Sequence, residues 1–416
     1  MNSPLADPKP LGLAPDREDW RTRIALAICF GLTAVFASSG GLGLAATAAL
    51  GGVITLRPRW LMRMLPSLPP VYWIWAAALL WCVLSLTWSP YSKLDQAWKL
   101  VLLPPVFLSF VASSWQTLSR RSTYLSTAVI FASLAMLSFF TLEGLTHGVI
   151  TESFERLEAQ GQVLDPHHLR NLTYRTLSRG ATIALILAGP ACLILIRTTR
   201  QWALYVALVI GACVITAGSF DNEANIVALF VALTLSGLGY WKPRWALALF
   251  LASFGLYLIL SPLIMHIALQ GFDTSVREAL PPSWAWRLEI WQFTLDKIAQ
   301  SPWIGQGLDA ARTFHDVGQV QDFTAELMPL HAHNAALHIW METGFVGAAL
   351  FTLALWASAY TLFKAKLSVD LSASLSWVIG LWLVCIVLGY GVWQEWHHGA
   401  LAMGILACFS LRSSRA

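Results

Sequence analysis

Twelve long apolar runs follow one another along this chain, most of them separated by only a few residues. They fall at about 22–39, 41–56, 71–88, 98–116, 124–146, 179–196, 201–219, 224–240, 245–265, 334–362, 374–393 and 397–411. A stretch of about 20 apolar residues is long enough for a helix to cross a hydrocarbon layer. Inside that layer a backbone must satisfy its own hydrogen bonds, which helices do within a single segment. The expected fold class is therefore all-α, a polytopic membrane protein of about 12 transmembrane helices. The second and twelfth runs are short and fit tilted or partly interfacial helices. Composition agrees: charged residues make up 12% of the chain, against about 25% in a soluble globule.

Charge sets the orientation. With the N-terminus placed inside, the inner segments hold 17 basic residues and 5 acids, a net charge of +12, and the outer segments sum to −8. Every inner turn is basic, including Arg57-Pro58-Arg59, Arg120-Arg121, Arg197, Arg200, Lys242 and Arg244. Basic residues stay on the cytosolic side of short loops, so both termini are expected in the cytosol. Residues 1–21 are polar, with Pro8, Pro10 and Pro15, and read as a disordered cytosolic tail. Residues 22–416 then form one transmembrane domain. The first run follows Arg21 and Arg23 without a small-residue cleavage site, and reads as a retained anchor.

Two outer loops are long, about 147–178 and 266–333, and no inner loop can hold a folded domain. No phosphate-binding GxxxxGK[ST] loop is present. Both points argue against chemistry driven by cytosolic nucleotide and place any reaction at the outer face. The net charge of +4 is too small to point to nucleic acid. The six cysteines lie singly in apolar runs and read as small buried hydrophobes. A lipid or solute transporter is the rival class. Against it, no repeat is visible, and the mid-span breakers Pro104-Pro105 and Pro190 are not symmetry-related.

In the second outer loop, Trp284, Leu288, Trp291, Leu295 and Ile298 repeat at helical spacing behind Ser283, a candidate N-cap. The pattern predicts an amphipathic helix lying in the outer interface, with Arg287 about 60° off its apolar stripe. Such an Arg suits a lipid phosphate, and equally suits a headgroup anchor. The loop ends in His331-Ala332-His333-Asn334 and enters the tenth run. There Asn334, His338, Met341 and Phe345 share a face, with Glu342 one turn beyond His338. An ionisable His inside an apolar helix is costly, and its ordinary pKa lets it take a proton from a hydroxyl. His333 and His338 point to different faces, which argues against a metal. Arg175 and Arg179, at the end of the first outer loop, are further candidates for holding an anion. The turns Asp221-Asn222-Glu223 and Gln394 to His398 are solvated or rim an acceptor site.

The run Arg287 to Trp291, then Ser301-Pro302-Trp303-Ile304-Gly305-Gln306-Gly307, then His333-Asn334 with nine residues to Gly344 and two more to Gly347, resembles the O-antigen ligase family. That superfamily also holds O-antigen polymerases and protein O-oligosaccharyltransferases. The resemblance implies a metal-independent, cofactor-free glycosyltransferase in the bacterial inner membrane, with its active site facing the periplasm. It implies undecaprenyl-diphosphate-linked O-antigen as donor and lipid A–core as acceptor. By position, Arg287 matches the family's loop Arg and His338 its essential His. The family's mid-chain Arg falls where this chain reads Ser219-Phe220, so that role passes to Arg179 or Arg175. Asn334, Glu342, His333 and His331 would line the substrate. No pair of carboxylates stands out near His338, which favours direct attack and inversion over a carboxylate nucleophile.

Overall fold

The structure, a computed structural model, describes residues 19–118, 122–159 and 165–412. Among these the helices run in the order α1 (Trp20–Ser38), α2 (Leu44–Thr55), α3 (Pro58–Met64), α4 (Pro70–Ser85), α5 (Asp95–Thr117), α6 (Thr123–Leu145), α7 (Val149–Glu158) and α8 (Pro166–Thr198). They continue as α9 (Trp202–Gly218), α10 (Glu223–Trp241), α11 (Ala246–Gln270), α12 (Thr274–Ala279), α13 (Pro282–Gln300), α14 (Ala335–Lys364), α15 (Val369–Leu388) and α16 (Glu395–Cys408). The protein is an all-α, multi-pass membrane protein. Each of the twelve apolar runs becomes a helix. Eight are long and apolar enough to cross a membrane, and α2, α4 and α9 are shorter apolar helices. Most of the proposed 1–21 tail lies outside the described residues; helix already starts at Trp20.

Helix α8 is the axis of the fold. Its apolar window is 89% buried, against 33–39% for most of the other candidate spans. A helix that is apolar all round belongs in the interior. The others keep large side chains such as Phe131, Phe230 and Leu263 on the outside, where lipid is their solvent.

Both long segments expected outside carry helix of their own. Pro166 opens α8 behind Asp165, whose carboxylate accepts from His168 N at 3.0 Å. This cap pulls residues 166–178 into a helical extension of the sixth run. The second loop contains α12, α13 and a two-stranded hairpin, β1 (Val317–Val320) paired antiparallel with β2 (Phe323–Glu326).

The segments that the charge pattern puts outside gather at one end of the bundle. Gln96 Nε2 donates to the Trp393 carbonyl at 3.0 Å, Lys99 meets Glu395 at 2.9 Å, and Tyr390 reaches α8 through the Ser178 carbonyl at 3.2 Å. The basic turns gather at the other end, where Arg197 pairs with Asp370 and Arg57 with Asp19.

Candidate functional site

The site is organised by a break in a helix. Gly344 interrupts α14 with φ 64, ψ −168, and the loop 301–307 fills the gap. Phe345 N donates to the Pro302 carbonyl at 2.8 Å and Val346 N to the Trp303 carbonyl at 3.2 Å. In return Gln306 N and Gly307 N donate to the carbonyls of Met341 and Glu342, each at 2.8 Å. Backbone donors and acceptors orphaned by the break are thus satisfied by the loop. This accounts for the glycines of the motif. A Cβ on Gly344 would strike Trp303 backbone, and one on Gly305 (φ 73) would strike the Glu342 carbonyl carbon. The break also corrects the expected helix face. His338 and Met341 stay buried, but Phe345 is turned out to 40% exposure against Trp303 and Trp340.

Nearly two turns before the break, His338 is 3% exposed, and Glu342, next to the break, is fully buried. His338 Nε2 lies 3.1 Å from Glu342 Oε1. The carboxylate also accepts from Trp393 Nε1 at 2.6 Å and from Ala311 N at 3.2 Å. With the Nε2–H tautomer, His338 donates to Glu342 and its Nδ1 is left as the acceptor nitrogen, with no protein partner among the described residues.

Asn334 is committed elsewhere. Its Oδ1 caps α14 through Ala336 N and Leu337 N at 3.1 and 3.2 Å, and its Nδ2 donates to Tyr257 Oη at 2.7 Å. The rings of His331 and His333 lie 4.2 Å apart between centroids, tilted by 55°, and His333 N donates to His331 Nδ1 at 3.3 Å. Burial, followed by the positive charge of Arg287, brings His333 down to about 4. Burial also holds His331 well below its usual value, with His333, His338 and Arg179 adding to the effect. Both imidazoles are neutral at neutral pH. Among the described residues no three His, Cys, Asp or Glu side chains are grouped to hold a metal ion.

Helix α13 departs from the sequence reading in two ways. It begins at Pro282 behind Pro281, so Ser283 is not its cap. Its apolar stripe faces protein instead of the lipid interface: Trp284, Leu288, Trp291, Leu295 and Ile298 pack on Met265 and Leu269 of α11 and on Leu337 and Met341 of α14. Trp291 Nε1 also donates to the Ala332 carbonyl at 3.1 Å, fixing the approach to α14. Arg287 is carried inward with the stripe. Its guanidinium lies 4.8 Å over Trp284, and Nη1 is buried with no partner. Burial lowers its pKa, partly offset by Glu223 at the start of α10. Arg179 is half-buried on α8 and interacts electrostatically with Tyr390, Arg175 and His331; Arg175, one turn earlier, is exposed. The fold thus brings His331, His333, His338, Glu342, Arg287 and Arg179 into one neighbourhood, with Arg175 at its edge.

Three residues escaped the sequence reading. Trp393 ties the turn before α16 to Glu342. Tyr390 Oη links Thr182 at 2.9 Å and Asn222 at 3.2 Å to the Ser178 carbonyl, bracing the turn that carries Arg179. Asp309, just past the glycine motif, is 3% exposed and pushed up to about 6 by burial first and then by Glu342, against Arg312 and His338. Only Asp309 had a signal in the sequence, its place directly behind Gly305-Gln306-Gly307-Leu308.

A family profile described as O-antigen ligase matches residues 221–352, the stretch that holds Arg287, the glycine loop and His338. The chain is 24% identical over 327 residues to a candidate polysaccharide ligase of Rickettsia prowazekii, covering 76% of this chain and 74% of that protein. It is 26% identical, with the same coverage, to a second from Rickettsia bellii. The chain is thus similar to the O-antigen ligase family over residues 221–352, and to these two proteins over about three quarters of its length. The O-antigen ligase profile ends within α14, beyond the break that shapes the site, and starts just before α10, so Arg179 and Arg175 lie outside it. No solved structure matches the chain.

Proposed function

We propose that this protein transfers O-antigen polysaccharide from undecaprenyl diphosphate to a sugar hydroxyl of lipid A–core. The reaction takes place at the periplasmic face of the bacterial inner membrane. The observation that carries this reading is a buried imidazole, His338, oriented by Glu342, in the same neighbourhood as an Arg287 guanidinium with an unpartnered buried nitrogen.

The donor is already activated by its diphosphate. The acceptor hydroxyl attacks the anomeric carbon and its proton passes to His338 Nδ1. The bond from that carbon to the phosphate oxygen breaks, and the electron pair leaves with undecaprenyl diphosphate. Glu342 stabilises the imidazolium that forms, as a buried carboxylate does behind any histidine base. Arg287 and Arg179 take up the charge developing on the diphosphate. A single displacement inverts the anomeric configuration. His331 and His333, neutral and in contact, wall the site without adding charge that would compete for the phosphates.

The test is expression in a strain deleted for its O-antigen ligase, with lipopolysaccharide resolved on a gel. The proposal predicts a restored ladder of O-antigen on lipid A–core. If no ladder forms, and purified native donor and acceptor also yield no product, the reading is wrong. Elongation of the lipid-linked glycan instead would mark a polymerase.

A further inference from the structure

Beside the imidazole lies a second group of side chains that proton transfer and diphosphate binding do not use. The Leu308 backbone is pinned to the end of α4: its N–H donates to Ser85 Oγ at 3.0 Å, and its carbonyl accepts from Ser89 Oγ at 2.8 Å. The clamp presents Asp309 in a left-handed conformation, φ 59, which Asp tolerates better than most residues. Asp309 Oδ1 receives Arg312 Nε at 3.1 Å, but Oδ2 is buried with no partner. Trp88, next to Ser89, buries an indole Nε1 that also has no partner, and its ring lies 5.5 Å from that of Trp81. Tyr91 Oη donates to Asp95 at 3.1 Å, and both interact with Arg312. The group adjoins the reaction centre, since Ala311 N, two residues from Asp309, binds Glu342 at 3.2 Å.

A buried acceptor and a buried donor left unpaired each cost free energy unless something else pairs them. Here the two lie on segments clamped together, among aromatic rings. Arg312 is already engaged by Asp309 and lies near Asp95, so the group offers a diphosphate only a neutralised cation. Arg287 and Arg179 supply positive charge elsewhere, beside His333 and His331. Resting on the glycosyl-transfer reading above, we propose that this group is the subsite for the accepting sugar. A hydroxylated, uncharged ring sits beside Trp88, donates one hydroxyl to Asp309 Oδ2 and accepts from Trp88 Nε1 through another oxygen. Indole faces and a carboxylate suit such a ring, whose faces are apolar and whose rim is hydroxyl. The lipid diphosphate then enters from the arginine side and the acceptor from the Asp309 side.

The test is steady-state kinetics of the purified full chain with undecaprenyl-diphosphate-linked O-antigen and lipid A–core. Asp309→Asn keeps shape and the Arg312 contact but turns the Oδ2 acceptor into a donor. It is expected to raise the acceptor KM about tenfold, with the donor KM changed by less than about twofold. Trp88→Phe keeps an aromatic ring, loses the N–H, and should shift the acceptor KM in the same direction. It carries the test if Asp309→Asn does not elute like the wild type. Transfer by wild type, with acceptor KM unchanged in the variants or with the donor KM moving instead, would overturn the subsite and leave the ligase reading standing. No transfer by the wild type would overturn both.

Discussion

At the residue scale, Glu342 is where charge and position meet. Glu342→Gln keeps a hydrogen-bond partner for Trp393 and Ala311 but replaces the carboxylate facing His338 Nε2 with an amide. We expect kcat to fall about 10²- to 10³-fold with both KM values nearly unchanged. Steady-state kinetics with purified substrates would check this, and an equal rise in KM would point to a binding role instead. Asp309 makes a separate prediction about stability. Its folded-state pKa of about 6 exceeds the usual carboxylate value near 4, so the folded protein holds that proton more tightly than the unfolded chain. The favourable contribution of the protonated form is therefore present at low pH and is lost as pH rises through that window. Glu342, Arg312 and His338 are the charges that act on it, the first raising and the other two lowering its pKa. Thermal unfolding in detergent should show wild type losing stability relative to Asp309→Asn between about pH 4 and 6, then levelling off, by an amount on the order of 1–3 kcal/mol. A difference that does not vary with pH would contradict the burial of that carboxyl.

At the element scale, the loop 301–307 and the broken helix α14 are one unit. Neither closes its backbone hydrogen bonds without the other. Gly344→Ala and Gly305→Ala each place a Cβ against backbone at a positive φ. The strain alone is about 1–3 kcal/mol, and the clash adds to it. Both variants should lower the thermal midpoint and abolish transfer, since the break lies two residues from Glu342 and within two turns of His338. Unchanged melting and unchanged transfer would contradict the interlock. The same unit shows what the sequence could reveal. The two-glycine loop and Gly344 were visible as a pattern, and His338 with Glu342 as a helical pair. Nothing in the spacing says that the loop inserts into the helix, because that depends on contacts between segments far apart in the chain, such as Pro302 with Phe345. For the same reason the α13 stripe was legible as a stripe while its partner was not. An apolar face reads alike whether lipid or Met265 and Met341 lie beneath it. Trp393 and Tyr390 carried no local signal, because their roles exist only once α15 and α16 fold against α8 and α14.

At the scale of the whole molecule, the split between a basic and an acidic end orders everything else. The residues of the site come from segments far apart in sequence, Ser85 to Asp95, Arg175 to Arg179, Asp309 to Glu342 and Tyr390 to Trp393, and all reach the acidic end. The hydropathy runs made the helices legible, and the charge pattern made this shared side legible. The order of packing around α8 was not, since nearly every face of every run is apolar. The six native cysteines are free and buried and offer little background to thiol labelling. A membrane-impermeant maleimide should therefore label Asp322→Cys in intact spheroplasts and Arg200→Cys only after the membrane is opened. The reverse pattern would overturn the orientation.

The most direct measurement is transfer by purified wild type and His338→Ala, with native lipid-linked O-antigen and lipid A–core, alongside donor binding. Wild type is predicted to form the product, and His338→Ala to bind donor normally while transferring at least about 10³-fold more slowly. Transfer by His338→Ala at close to the wild-type rate would contradict the account.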